Sequence, residues 1–379
     1  MIKNAITFFT LVALISCDSS VEKNLDSPVL QTDKKNIEPQ NTIATPIKYE
    51  VVESFNVGNN VVVRALTNDM KNNRLWVGTT VGVLEVDVVN GNVINTFTRE
   101  NGLANEYVFS ATIDSKGGAW VGTNGGGVSY LFDKQWQTFF PMHGLGDYWV
   151  YSFQDQKNSA MWVGTWNGLS RFDYATKTFK TYVKELVNEW VYGLALDSNN
   201  NLWIGTEGGV NKFDGKTWTT WTHNEGLGAQ NIQNLPFSEN TGLGTRNRHD
   251  LSVLSQGSNT FNPNYVFCIE VDVNDVVWAG TWGGGVSFFN GSKWQNFTSK
   301  DGLAADIVYS MATQKNGVMW FGTNNGLSLF DGKHWQTFRK EDGLLDNHVY
   351  AVSLSSDGRV WVGTKHGVAV LKSVTEQPM

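Results

Sequence analysis

The chain has 379 residues, 41% of them hydrophobic and 17% charged, within reach of one large globular domain. Its net charge is −7 with no basic cluster to offset it, and this excludes nucleic-acid binding, which needs a cationic footprint. Glycine is abundant at 39 and proline scarce at 7, a balance that suits many tight turns.

In chain order, residues 1–17 read as a targeting segment. Lys3 supplies positive charge, and Ala5 to Ile15 is an apolar core too short to span a bilayer. Leu14-Ile15-Ser16-Cys17 resembles a bacterial lipoprotein signal, with Cys17 as the lipid-modified residue. The mature chain is then expected at the cell envelope, on the periplasmic face or at the outer membrane of a Gram-negative bacterium, touching membrane through lipid alone. With Cys17 so used, Cys268 lacks a disulfide partner and is expected in a buried strand. Residues 18–47 are polar and read as a flexible tether. Residues 372–379 form a C-terminal tail.

The body, residues 48–371, is repetitive. Trp-x-Gly, usually followed by Thr, recurs at Trp76, Trp120, Trp162, Trp203, Trp278, Trp320 and Trp361. The period is about 40 residues, the length of one propeller blade. The gap from Trp203 to Trp278 is nearly two periods, and within it Leu243-Gly244-Thr245 reads as a degenerate copy with Gly242 in place of Trp. Each unit holds four short runs rich in Val, Trp, Tyr, Phe and Thr, punctuated by Gly and Asp, which predicts a four-stranded antiparallel meander. Such a sheet cannot bury both faces alone, whereas radial stacking covers each with its neighbour. The expected fold is all-β: a single β-propeller of eight four-stranded blades, or seven if the degenerate unit forms no sheet. The repeated Trp fills the wedge between sheets, and the Gly allows close approach. Tyr49 to Phe55 is a lone strand, and the unit from His348 ends one strand short. The N-terminal strand is therefore expected to complete the last blade and close the ring.

Trp203-Ile204-Gly205-Thr206-Glu207-Gly208-Gly209-Val210 with Phe213-Asp214-Gly215, and Trp320-Phe321-Gly322-Thr323-Asn324-Asn325-Gly326-Leu327 with Phe330-Asp331-Gly332, carry a recognisable pattern. Together with the inter-blade pairs Gly102-Leu103, Gly144-Leu145, Gly226-Leu227, Gly302-Leu303 and Gly343-Leu344, it resembles the two-component regulator propeller repeat. The resemblance implies a sensing module of the kind found in the periplasmic part of hybrid histidine kinases, where carbohydrate-type ligands are thought to bind. No kinase or receiver segment follows Leu371, so a freestanding binding protein is expected, monomeric, taking a small molecule, glycan or peptide, or an envelope protein.

Two sets of positions vary while the frame stays fixed. One directly follows each Thr: Thr80, Asn124, Trp166, Glu207, Arg246, Trp282, Asn324 and Lys365. The other opens each innermost strand: Val61, Tyr107, Trp149, Trp190, Ile232, Tyr265, Ile307 and His348. In a propeller both would surround the channel mouth on one face. Tyr107, Trp149, Trp166, Trp190, Tyr265 and Trp282 would supply flat apolar faces, and Glu207, Arg246, His348 and Lys365 polar contacts, a combination suited to sugars, aromatic ligands or peptides. Alternatively the aromatics simply plug the channel.

Catalytic motifs are absent: there is no Gly-x-Ser-x-Gly, His-Glu-x-x-His or phosphate loop. A propeller lyase or hydrolase using His348 and His366 with Glu207 or Glu106 is the catalytic alternative; an assembly scaffold using the outer rim is another. Asp197-Ser198-Asn199-Asn200-Asn201 and Asp272-Val273-Asn274-Asp275 superficially resemble calcium loops but lack the spacing and closing Glu. No metal or cofactor is expected.

Overall fold

The computed structural model describes residues 47–229 and 262–374. The lipoprotein signal with Cys17, most of the tether, Ile232, Arg246 and the degenerate unit around Leu243-Gly244-Thr245 lie outside the described residues. Among those described are seven four-stranded antiparallel sheets. Blades 1 to 6 span residues 63–97, 108–139, 150–182, 191–221, 262–297 and 308–338. Blade 7 is built from residues 349–373, and the strand Tyr49–Phe55 pairs antiparallel with Gly367–Ser373 as its outermost member.

Neighbouring innermost strands pack on one another from Val63–Asp69 in blade 1 to Val349–Leu354 in blade 7, and the last lies against the first. One hydrophobic cluster joins Val63, Leu66 and Val77 of blade 1 to Trp361, Val368 and Val370 of blade 7.

The glycine of Trp-x-Gly explains how the wedges meet. A Cβ on Gly122 would lie 2.6 Å from Cγ1 of Val150, the first residue of the next blade's innermost strand. The same clash recurs for Gly164 against Val191 (2.9 Å), Gly280 against Val308 (2.8 Å) and Gly322 against Val349 (2.8 Å). Gly78 meets Val108 at 2.7 Å, and Gly363 of blade 7 meets Val63 of blade 1 at 2.5 Å. Only a residue without a side chain admits the neighbouring valine. The threonine that follows has its own function. Its hydroxyl donates to the carbonyl three or four residues on, as in Thr165 to Gly168 (2.7 Å) and Thr281 to Gly285 (2.8 Å), and pins the tight turn between the second and third strands.

The same contact corrects the expected eight blades to seven. Gly205 of blade 4 would place a Cβ 2.6 Å from Val266 of blade 5, and Trp203 and Val210 share one core with Val266, Val277 and Ala279. Blades 4 and 5 are direct neighbours, so no further wedge stands between them. The doubled spacing in sequence therefore separates two blades that are adjacent in space.

Four of the repeated tryptophans are tied down at the indole nitrogen. Trp120, Trp203 and Trp278 donate to Asp114 (2.8 Å), Asp197 (3.0 Å) and Asp272 (2.9 Å), and Trp162 donates to Gln156 (3.1 Å). The turn aspartates that resembled calcium loops thus hold their own loops and the next strand's Trp. Asp272 also accepts from the backbone of Asn274 and Val276. The indole nitrogens of Trp76, Trp320 and Trp361 are buried without such a partner among the described residues.

Candidate functional site

Every innermost strand breaks register immediately after its buried first valine, and that of blade 5 also breaks before it, between Asn262 and Val266. The unpaired residues are Arg64, Phe109, Tyr151, Tyr192, Phe267, Tyr309 and Tyr350. A bulge re-aims the side chain it carries, and these seven all line one axial cavity of about 270 Å³. Around the axis they touch in sequence. Phe109 stacks on Tyr151 (ring centroids 4.7 Å), Tyr151 meets Tyr192 edge-on (4.8 Å), and Tyr192 stacks on Phe267 (5.7 Å). Phe267 meets Tyr309 (5.8 Å) and Tyr309 meets Tyr350 (5.0 Å). Arg64 completes the ring, its guanidinium carbon 4.9 Å from the Tyr350 centroid and 5.6 Å from that of Phe109. Burial pushes the Tyr151, Tyr192 and Tyr309 hydroxyls well up, so they stay protonated; Tyr192 is hydrogen-bonded to Tyr265, which leaves Tyr151 and Tyr309 to donate to a ligand.

The residues expected at the mouth form a second tier on this ring. Their register is direct: the amides of Asn124, Trp166 and Glu207 donate to the carbonyls of Tyr107 (2.9 Å), Trp149 (3.1 Å) and Trp190 (3.2 Å). In blade 1 the partner of Thr80 is Val62 (3.1 Å), so the expected Val61 is displaced by one. Trp149 packs at a tilt against Trp166 (4.5 Å) and Trp166 against Trp190 (5.8 Å), and Tyr265 stacks on Trp282 (5.5 Å). Tyr107 and Trp149 rest on Phe109, and Tyr265 on Tyr192. Trp166, Trp190, Trp282 and Glu207 are buried within this tier, Tyr107, Trp149, Tyr265 and His348 are half-buried, and Lys365 is exposed. Tyr107, Trp149, Trp166, Trp190, Glu207, Tyr265 and Trp282 are thus brought together in a tier over the aromatic ring, with His348 on Tyr350, while Arg246 lies outside the described residues. The cavity itself lies one step further along the inner strands.

The two histidines meet through a residue that the sequence reading passed over. Asp346 accepts from the backbone of His348 and lies 3.0 Å from its Nδ1 and 3.4 Å from Nε2 of His366. Burial raises the Asp346 carboxyl, but the His348 hydrogen bonds and the nearby imidazoles outweigh this and hold it below its ordinary value. Asn105, Asp147 and Asn188 occupy the equivalent place in blades 2 to 4, each accepting from the backbone two residues on. The Asp346 turn is therefore a repeated structural device that in blade 7 also holds two imidazoles. Glu106 accepts from the backbone of Arg99 (3.2 Å) in an exposed turn.

Fold and site together define a seven-bladed β-propeller with an aromatic axial cavity. The chain carries the two component regulator propeller repeat: the profile of the family described in those words matches residues 185–208, 302–325 and 343–366. Each match runs from an inter-blade turn to the turn after Trp-x-Gly-Thr. Among solved structures the chain is similar to the extracellular domain described as that of a hybrid two component system of B. thetaiotaomicron, at 22% identity and TM-score 0.67, over 86% of this chain and 41% of that one. It is similar, at 18% identity and TM-score 0.63, to the extracellular domain described as that of a one component system of the same organism, over 85% of this chain and 40% of that one. The chain thus spans less than half the length of these domains. A virginiamycin B lyase from Staphylococcus aureus, solved with quinupristin, matches at 12% identity and TM-score 0.62, over 86% of this chain and 100% of that one. At these identities the likeness is one of fold. No curated protein matches the chain. No helix among the described residues is long and apolar enough to cross a membrane.

Proposed function

We propose that this chain is a non-catalytic, exported propeller, anchored by lipid at Cys17, that binds a small ligand along its axis as the sensing or accessory component of an envelope signalling system. The observation that carries the reading is the convergence of seven backbone bulges on one cavity walled by six aromatic rings. A purely structural core has no need to leave this space open. Aromatic faces with protonated phenols suit sugar rings and aromatic ligands alike. The extracellular setting of the two B. thetaiotaomicron domains and the Leu14-Ile15-Ser16-Cys17 signal both support placement outside the cytoplasm. The test is intrinsic tryptophan fluorescence, titrated with small sugars and aromatic acids. Saturable change in the intact protein, weakened in Trp149→Ala, supports the reading; a flat response to every probe removes it. For the anchor, Cys17→Ser should move the protein from the membrane to the soluble fraction.

A second reading, a lyase or hydrolase, is favoured by the His348–Asp346–His366 arrangement at the mouth. It requires product formation from cyclic esters or glycans that disappears in His348→Ala.

A further inference from the structure

Arg64 stands apart from everything else in the axial ring. It sits at the bulge position that the other six blades give to Phe or Tyr. Its guanidinium lies between the Tyr350 and Phe109 rings, and its Nε is buried without a hydrogen-bond partner. Among the described residues it forms no ion pair. The flanking rings compensate a desolvated cation only in part. A guanidinium has five donors in a planar fork, and here that fork borders an open cavity. The remaining wall offers the protonated hydroxyls of Tyr151 and Tyr309.

We infer that the axial cavity takes a small monoanionic ring compound, whose carboxylate is seated on Arg64 and whose flat face lies on Phe109 and Tyr350. This rests on the channel-binding reading above and deepens it by naming the charge of the ligand. A carboxylate satisfies the fork bidentately and neutralises the charge, which gives the strongest class of hydrogen bond available to it. The cavity, about 270 Å³, is at the small end of ligand sites and suits one ring with its acid group. Aromatic acids and sugar acids share this chemistry, and the experiment separates them.

The intact protein is titrated with two shape-matched pairs that differ in charge, benzoate against benzamide and galacturonate against galactose, with thermal shift and tryptophan fluorescence as readouts. The expected result is that one acid binds at least roughly tenfold more tightly than its neutral partner. Only that acid should raise the melting temperature, because a ligand stabilises the state it binds. Which pair responds identifies the source of the ring. Arg64→Gln abolishes the preference, and Arg64→Lys, which keeps the charge and loses the fork, retains it in part. Should Arg64→Gln not fold, the discrimination by the wild-type protein and its reduction in Arg64→Lys decide alone. Equal binding of acid and neutral partner overturns this inference and leaves channel binding standing. No response to any of the four probes up to about 10 mM, weaker than any functional affinity on the usual scale, overturns it together with that reading.

Discussion

The wedges between blades and the axis around which they gather are built from the same repeat, yet they behave in opposite ways. In the wedges the same atoms meet seven times: a valine of one blade fills the place of the missing Cβ of the previous blade's glycine. At the axis the backbone bulge is equally regular, but its side chain changes from Arg64 to Phe109 to Tyr151. Close packing tolerates no variation where two sheets meet, whereas a residue facing an open cavity is free to differ from blade to blade. The axis is divided in turn. Blades 3 to 5 present Trp149, Trp166, Trp190 and Trp282 in contact or near contact, while blades 6, 7 and 1 present Asn324, His348, Lys365 and Arg64. A ligand on the axis therefore meets indole faces, with the Glu207 carboxylate buried among them, on one side and the Lys365 and Arg64 cations, with Tyr309 and Tyr350, on the other.

That contrast breaks if a wedge substitution acts mainly on binding, or an axis substitution mainly on stability. The largest expected effect is in the wedge. Trp120→Ala empties a fully buried site between blades 2 and 3 and should cost about 3–5 kcal/mol, read by denaturant unfolding. Next is Trp149→Ala, at a half-buried mouth position: roughly tenfold weaker ligand binding with a melting temperature close to wild type. Trp166→Ala sharpens the comparison, because Trp166 is only 7% exposed; it should lose stability as well as affinity, so it is the poorer probe of the pocket.

Smaller effects separate the blades from one another. Asp197→Ala leaves the Trp203 indole and the Asn199 and Asn201 amides without their acceptor and should cost about 1–3 kcal/mol. Burial raises the Asp197 carboxyl, but hydrogen bonds from Asn201 and Trp203 and the charge of Lys212 outweigh this and leave it below its ordinary value. Its contribution is therefore present above the ordinary carboxylate range and is lost as pH falls through the depressed native value. The smallest effect has the opposite sign. Glu270 pairs across the strand with Trp278, where the other blades have a neutral residue. Burial pushes its carboxyl up to about 8, opposed by a backbone hydrogen bond from Thr313. The native state then holds a proton that the unfolded chain releases, so stability is full below the ordinary Glu range and falls as pH rises towards 8. Because the side chain is partly exposed, screening reduces the effect to about 1 kcal/mol. Glu270→Gln should flatten this part of the pH–stability curve, measured by thermal unfolding between pH 5 and 8.

The wedge chemistry was legible because it is local. Trp, Gly and Thr stand in one strand, and each unit repeats them, so the period near 40 residues gives the propeller directly. The mouth positions were legible for the same reason, since they are counted from Thr206 or Thr323 along a fixed frame. The bulge ring was missed although a signal exists: Val-Phe or Val-Tyr occurs in six of the innermost strands, as in Val108-Phe109 and Val349-Tyr350. Reading those strands by simple alternation assigns faces as if no residue were inserted, and a bulge shifts every face after it by one. The same regularity made Asp197 and Asp272 resemble ion ligands, when their acceptors are spent on their own turn and on the following Trp.

By itself the sequence determined the blade: four strands, a wedge tryptophan, a glycine that admits its neighbour and a pinned turn, all specified within a single repeat. Only the tertiary structure decided how many blades share the axis and what meets there. Blades 4 and 5 touch although nearly two repeat periods separate Trp203 from Trp278 in sequence, and Arg64 faces Tyr350 from the far end of the body. Such contacts join residues that no repeat unit contains together, and their geometry exists only once every wedge has taken its place around the axis.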